Sequence, residues 1–433
     1  MTEKLKLPLL QNADLKNKIV LVRFDHNVIK KGKIQDSFRI DSTFATLFRI
    51  IAKGGKPILM THIGRPKDKK NGQIITGSET SVQPVINYFK NKLQIDFMCP
   101  DLKPDDMYGI KNLQCNEMDN LVKDLKAGKI DGIYLPNTRW FAGEEAKDES
   151  ADNFAKQLSS YADVYVNDAF GSWQAHASTF LVPKYLPSCA GLLMQKELLN
   201  LDMIYQPQRP FVAIVAGAKF DTKIDTLYAL FDKVDYLVLG GVIYNAYLSA
   251  KYGFSIKGIA PEDMKCAEQF VSYTKKHPEK LIELPYIVES DTMEGKFEGQ
   301  SRIHNIHNIK SGSELNFVLD VAPASFDDQH IVEIFNNAKL FFVNAVMGYT
   351  PYFYEGTVAM NTLIDKNKNA RKLFGGGDTL QDFKTFLPGI YLNAIDDTSY
   401  YMFTGGGAVL NAIQQGSYLG LKPVAALAEK YQK

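Results

Sequence analysis

Arginine is scarce in this chain and unevenly placed. Of the eight arginines in 433 residues, Arg23, Arg39, Arg49, Arg65 and Arg139 all fall in the first third. Arg49 lies along a helix-like stretch; the other four sit in loops or at strand ends, in the company of Asp25, Asn27 and His62. Any one of them is ordinary surface charge more often than not, but the group is harder to dismiss. A guanidinium makes two-pronged bonds to carboxylate and phosphate, so the group predicts a small polyanion as its guest. A different chemistry recurs in the second half. Ala216-Gly217-Ala218-Lys219 and Gly240-Gly241 follow apolar runs, and Gly375-Gly376-Gly377-Asp378-Thr379 and Gly405-Gly406-Gly407 each precede a helix-like stretch. Glycine admits a phosphate to the backbone, and the first amides of a helix supply donors and a partial positive charge. Lys219 and Lys223 are spaced to share a helix face beside such a site, and Asp378 can face a magnesium ion held by phosphates. One triple glycine is an ordinary tight turn; two of them, with a Gly-Ala-Lys after another strand, predict a nucleotide site.

These residues need elements to position them. Apolar runs at 18–23, 56–61, 131–135 and 162–166 in the first half read as strands, with helical spacing over 40–52 and 150–161. In the second half, 211–215, 236–239, 316–319, 340–343 and 400–403 read as strands, with helices over 222–231 and 331–337. Alternating strands and helices argue for parallel sheets covered on both faces, which hold ligands at the carboxyl ends of their strands. The expectation is an α/β protein of two doubly wound parallel-sheet lobes with a cleft between them. The lobes are 1–188 and 205–411, joined by a helix over 189–204, with 412–433 packing back on the first lobe.

Composition narrows the function classes. Hydrophobic residues at 45% and charged residues at 23% describe a packed globular chain. A net charge of +1 argues against a broad nucleic-acid-binding field. Four cysteines without a C-x-x-C pair suggest neither zinc cluster nor disulfide framework. No signal peptide or membrane span is read, so the protein is expected to be cytoplasmic. The G-x-x-x-x-G-K-[ST] and G-x-G-x-x-G loops are absent, as are the nucleophile motifs G-x-S-x-G and H-E-x-x-H.

About ten short blocks, in order and nearly end to end, resemble the phosphoglycerate kinase family. They include 20–28, Arg39, 60–67, 137–145, 166–171 and 175–178 in the first half. In the second come 217–219, 232–235, Gly240-Gly241, Asn344, Met347-Gly348, 355–357, 375–378 and 404–408. The resemblance implies reversible phosphoryl transfer between 1,3-bisphosphoglycerate with ADP and 3-phosphoglycerate with ATP, assisted by magnesium, in glycolysis. It implies that Asp25, Asn27, Arg39, His62, Arg65 and Arg139 hold the phosphoglycerate. Gly217, Lys219, Lys223, Gly240, Gly241, Asn344, Gly376, Gly377, Asp378 and Thr379 would hold the nucleotide, with Asp378 towards the metal. Arg39, Lys219 and the amides of Gly405, Gly406 and Gly407 would act on the group in transit. Hinge closure of a monomer would join donor and acceptor.

Several positions depart from the family's pattern. Gln174 stands where an arginine would reach the substrate phosphate, in a loop one residue shorter than usual. Losing one charge-assisted bond weakens binding by roughly 1.5–3 kcal/mol, about tenfold to a hundredfold. His26 replaces an apolar or aromatic residue and Pro136 a glutamate. Ala216, Thr222 and Val242 change the glycine and aspartate positions of the nucleotide lobe; 344–346 departs from Asn-Gly-Pro, and 349–355, around Pro351, is shortened. Two alternatives therefore stay open: a catalytically silent relative that binds ligand, and a kinase of another small carboxylic acid.

Overall fold

The central strand, which ends in Arg23, is buried on both faces, and that decides the architecture around it. The computed structural model describes residues 5–429. In it, β1 (Ile19–Arg23), β2 (Lys56–Met60), β3 (Phe97–Met98), β4 (Gly132–Tyr134), β5 (Val164–Asn167) and β6 (Ser188–Ala190) form one sheet. Its order is β3-β4-β2-β1-β5-β6, with every pairing parallel. All five residues of β1 are buried, the unbroken run that a central parallel strand requires. Helix Phe44–Ala52 covers one face, setting Leu47 and Ile50 against Val20, Val22 and Leu59. The chain then turns directly into β2 through Gly54, whose φ is +76°.

A second sheet repeats the plan. β7 (Phe211–Gly217), β8 (Tyr236–Gly240), β9 (Leu281–Ile282), β10 (Leu340–Asn344), β11 (Arg371–Phe374) and β12 (Tyr400–Met402) lie in the order β9-β8-β7-β10-β11-β12, again all parallel. Strand order reverses beside β1 in one sheet and between β7 and β10 in the other, the doubly wound arrangement whose ligands sit at the reversal. The run expected as a strand over 316–319 is one, Phe317–Val321, but it does not join the parallel sheet. It pairs antiparallel with Tyr286–Ser290, which also pairs with Ser301–Asn305. Short loops connect antiparallel strands, and the 290–301 link has no room for the helical crossover that a parallel pair needs.

The chain divides into two units: one runs to Leu199 and takes up the chain again from Ser417, and the other is Asn200–Gly416. The division falls within helix Leu192–Tyr205. That helix begins later than 189, because Ser188–Ala190 is tied into the ladder beside β5. The returning segment begins later than 412, because 412–415 complete helix Gly406–Gln415, which Gly416 ends at φ +68°. Helix Lys422–Ala428 then packs against Ala177–Leu181 and β6; residues 430–433 lie outside the described part. No helix among the described residues is long and apolar enough to cross a membrane.

Asp168, just past β5, ties the first sheet to helix Leu192–Tyr205. Its backbone N–H donates to Arg23 O and its Oδ1 accepts the Met194 N–H, both at 2.9 Å. Gly191 is required beside it, since a Cβ there would lie 2.2 Å from Asp168 Oδ1. Burial pushes this carboxyl up from 3.8 to about 6. A raised folded pKa means that Asp168 favours the folded state fully below the unfolded pKa and loses that contribution as pH rises through about 6. Asp168→Asn keeps an acceptor for Met194 without the charge. It should gain about 2 kcal/mol on the parent between about pH 4.5 and pH 7.5, as read from urea unfolding at both values.

Candidate active site

The first half-site is built at the carboxyl end of β1 and β2. Asp25 and Asn27 follow β1; Asp25 Oδ2 lies 3.4 Å from Arg39 Nη1, and Arg39 sits on the single helical turn Phe38–Asp41. Asn27 Oδ1 accepts the Gly64 N–H at 2.8 Å, which ties this loop to the one after β2. Arg139 donates from Nη1 to Gly64 O at 2.6 Å and pairs through Nε with Glu145 at 3.0 Å. Its turn is held by buried Asn137, which accepts from the Ile63 and Arg139 amides and donates to Ile63 O and Thr80 O. Arg65 is exposed, and its guanidinium makes no hydrogen bond or ion pair with the described residues.

Arg23 behaves differently from its neighbours. It is fully buried, donates from Nε to Ser178 Oγ at 2.8 Å and from Nη1 to Phe24 O, and lies 3.8 Å from the buried Glu144 carboxylate. Its Nη2 stands 3.2 Å from His62 Nδ1. Burial and the charges of Arg23, Arg139, His176 and Arg39 hold the His62 ring well below its ordinary pKa, so it is neutral. A guanidinium can only donate, so Nδ1 is the acceptor and the ring proton sits on Nε2. His62 is therefore a neutral donor among cations. Asp25, Asn27, Arg39, His62, Arg65 and Arg139 form one cluster, and Arg23 organises it from below without facing solvent.

The second half-site stands where β7 and β10 end. Lys223 donates from Nζ to Ala216 O and to Asn344 Oδ1, the latter at 2.7 Å, and Asn344 Nδ2 donates to Gly375 O at 2.6 Å. Burial pushes the Lys223 ammonium down to about 8, against the charge of Asp378, which raises it. Gly376 caps helix Gly377–Phe386 at φ +112°, and its would-be Cβ falls 2.6 Å from Asn344 Nδ2. A Cβ on Gly406 would lie 2.6 Å from Gly376 Cα, so the two glycine loops touch backbone to backbone. Two helix starts, Gly377–Phe386 and Gly406–Gln415, thus offer first-turn amides with no intrahelical partner, together with Asp378 and Thr379. Gly217 and Gly241 form a bridge of their own. Lys219 and Lys223 do not share a helix face as their spacing suggested. The helix is Ile224–Phe231, Lys223 is its cap, and Lys219 lies in the preceding turn, exposed and with its ammonium unpartnered among the described residues. Asp263 holds that turn by accepting from the Phe220 and Asp221 amides at 2.6 and 3.3 Å.

Comparison with known proteins decides what these two clusters belong to. The family model described as phosphoglycerate kinase matches residues 10–416. The chain belongs to the phosphoglycerate kinase family. It is 32% identical to the phosphoglycerate kinase of Francisella philomiragia, over 94% of this chain and 95% of that one. It is also 32% identical to that of Dictyoglomus turgidum, over 97% and 98%. The structure of phosphoglycerate kinase from Coxiella burnetii superposes with a TM-score of 0.74 at 28% identity, covering 98% of this chain and 99% of that one. The family is one of glycolytic phosphotransferases.

Sequence reasoning missed three residues that hold these sites. Glu144 and Ser178 lie in blocks that resemble the family, but nothing in their spacing pointed to Arg23. Asp263, at an ordinary helix start, carried no signal at all. The sorting of arginines into buried and ligand-facing ones is checked by stability. Arg23→Met leaves Glu144 buried without its charge partner and should cost about 3–5 kcal/mol. Arg39→Met and Arg65→Met should each cost less than about 1 kcal/mol in the same urea titration.

Proposed function

We propose that this member of the phosphoglycerate kinase family catalyses reversible phosphoryl transfer between 1,3-bisphosphoglycerate with ADP and 3-phosphoglycerate with ATP. The observation that carries the reading is two cations without a partner among the described residues. Arg65 lies in the first unit and Lys219 in the second, each at the carboxyl end of its own parallel sheet. The carboxyl ends of parallel strands are where open α/β sheets hold ligands, and a free guanidinium and ammonium there are available to pair with an anion.

In this reading 3-phosphoglycerate binds the first half-site. Arg39, Arg65 and Arg139 supply charge, the His62 Nε2–H donates, and Asp25 and Asn27 take the remaining polar groups. The nucleotide phosphates bind the second half-site through Lys219, Lys223, Asn344, Thr379 and the glycine-led amides. No general base is required, because the attacking carboxylate or phosphate oxygen is already ionised at neutral pH. Alignment and positive charge are what must be supplied. Arg39 and Lys219 bring mobile charge to the group in transit, and Gly405 to Gly407 bring fixed dipoles. Among the described residues no cluster of three or more His, Cys, Asp or Glu side chains is able to hold a metal. The exposed Asp378 carboxylate fits a magnesium ion that arrives on nucleotide phosphates and takes one oxygen from the protein. Such an ion, when bound, offsets phosphate charge. We assign the meeting of the two ligands to hinge closure, in a cytoplasmic monomer.

A coupled assay with 3-phosphoglycerate, ATP and magnesium tests the reading. Lys219→Ala should lower kcat by about a hundredfold or more, with an unchanged melting temperature because the side chain is exposed and its ammonium bonds to none of the described residues. Unchanged turnover would refute the mechanism. Nucleotide affinity should also be pH-dependent. Phosphate binds the Lys223 ammonium, whose pKa without ligand is about 8. Affinity should be full below that value and fall by up to about tenfold per unit as pH rises through it. Calorimetry should find the slope absent in Lys223→Met.

A further inference from the structure

His26 lies between two residues of the first half-site, yet its ring faces away from solvent and is fully buried. The ring stacks on Phe24 at a centroid distance of 5.0 Å and packs near Phe89 and Tyr134. Both ring nitrogens are used. Nδ1 is 2.8 Å from the Tyr134 hydroxyl and Nε2 is 3.0 Å from Thr43 Oγ1. Thr43 commits its own hydroxyl proton to Ile40 O, at 2.7 Å, so towards His26 it can only accept. The imidazole proton is therefore on Nε2, and Nδ1 accepts from the Tyr134 O–H. Burial, which pushes the ring pKa down to about 3, keeps this tautomer neutral.

The partners share a property. Ile40 is the neighbour of Arg39 on the turn Phe38–Asp41. The His26 backbone N–H donates at 2.9 Å to the hydroxyl of Thr61, the residue before His62. Tyr134 ends β4, five residues before Arg139. Asp25 and Asn27 flank His26 itself. One buried residue, through its ring and its backbone N–H, thus connects the segments that carry Asp25, Asn27, Arg39, His62 and Arg139.

We propose that His26 is a positioning residue whose chain Tyr134–His26–Thr43 sets the Arg39 turn against the Asp25–Asn27 loop for binding the acid substrate. The inference rests on 3-phosphoglycerate being that substrate, and the test separates the two. Calorimetry follows 3-phosphoglycerate and, separately, MgADP binding to the full chain, to His26→Phe and to Tyr134→Phe. Steady-state kinetics gives the KM-against-kcat split. Failure of the parent protein to bind 3-phosphoglycerate would sink the functional reading itself. If the parent binds, His26→Phe should weaken 3-phosphoglycerate about tenfold and leave MgADP unchanged, with kcat within about twofold. Tyr134→Phe, which loses only one hydroxyl, should give a smaller loss in the same direction and add nothing in the double variant. His26→Gln, which can still donate to Thr43, should recover part of the affinity. If His26→Phe does not fold, Tyr134→Phe decides. Affinity for 3-phosphoglycerate within twofold of the parent in the folded variants, or an Nδ1–H tautomer in nitrogen-15 spectra of the ring, would overturn the proposal.

Discussion

A guanidinium and a carboxylate, both shut off from water, sit at the carboxyl end of the first unit's central strand. Taking Arg23 and Glu144 out of water costs several kcal/mol per ion unless their remaining bonding capacity is met. Here it is met: Ser178 Oγ accepts from Arg23 Nε and donates to Glu144 Oε1 at 2.6 Å, while the Ser178 N–H donates to Glu144 Oε2 at 3.0 Å. Phe24 O and His62 Nδ1 take the rest of the guanidinium. No member can shift without stranding another in a dry interior. The loops after β1 and β2, the segment around Glu144 and the turn at Ala177–Leu181 therefore share one arrangement. Everything the half-site offers a ligand is mounted on that arrangement, including the donor face of His62.

The second unit reaches an anion site by the opposite route. Its rigidity comes from close approaches that a side chain would block: Gly406 on the Gly376 backbone, Gly241 on Gly217 O at 2.9 Å, and Gly240 on the Met347 side chain, measured from the Cβ each lacks. A packed glycine contact needs no charge to hold it and leaves amide donors at the helix starts. The half-buried cation of this site, Lys223, is fixed by two oxygen acceptors and has a proton to lose near neutral pH. The first half-site thus spends an arginine internally to aim other side chains, and the second spends glycines to aim main chain. The division suits their proposed guests, since a small acid is told from others by side-chain geometry, while a polyphosphate presents many equivalent oxygens.

Most of this was legible in the sequence because parallel strands bury both faces and read as apolar runs. β1, β2, β7, β8 and β10 stand out for that reason. β11 does not, because Arg371 and Lys372 occupy half of it. Lys372 is buried nonetheless, with its ammonium 4.7 Å from the centre of the Tyr400 ring and 3.3 Å from Ser399 Oγ. β3 and β9 are two residues long and leave no pattern to detect. Site residues were legible where chemistry restricts the residue type, as at Arg39, Asp378 and the glycine triplets. The partners that hold them were not, because Glu144, Ser178, Thr43 and Asp263 act through contacts that only the folded chain makes. The face shared by Lys219 and Lys223 failed on a local detail. Two amides donating to Asp263 hold 219–222 as a turn, and a spacing argument that assumes a helix has no way to see an acceptor forty residues on.

The shape of the loop that carries Gln174 does not depend on the Gln174 side chain. The Gln174 carbonyl accepts from the Thr179 hydroxyl at 2.7 Å and from the His176 N–H at 3.0 Å, and His176 N–H also meets Thr179 Oγ1. These are backbone and cap bonds, which any residue at 174 leaves intact, and the side chain itself is exposed. Exchanging an arginine for glutamine here removes a cation and leaves its mounting in place. The loop also puts Ser172 Oγ 3.4 Å from His62 Nδ1, on the nitrogen that Arg23 already occupies, so the donor nitrogen stays available. The change therefore subtracts from the charge the half-site presents without altering how Arg39, Arg65, Arg139 and His62 are held. Within the proposed reaction that subtraction falls on affinity for the acid, because neither group assigned to the transferring phosphoryl is held through residue 174: Arg39 pairs with Asp25, and the Lys219 ammonium bonds to none of the described residues.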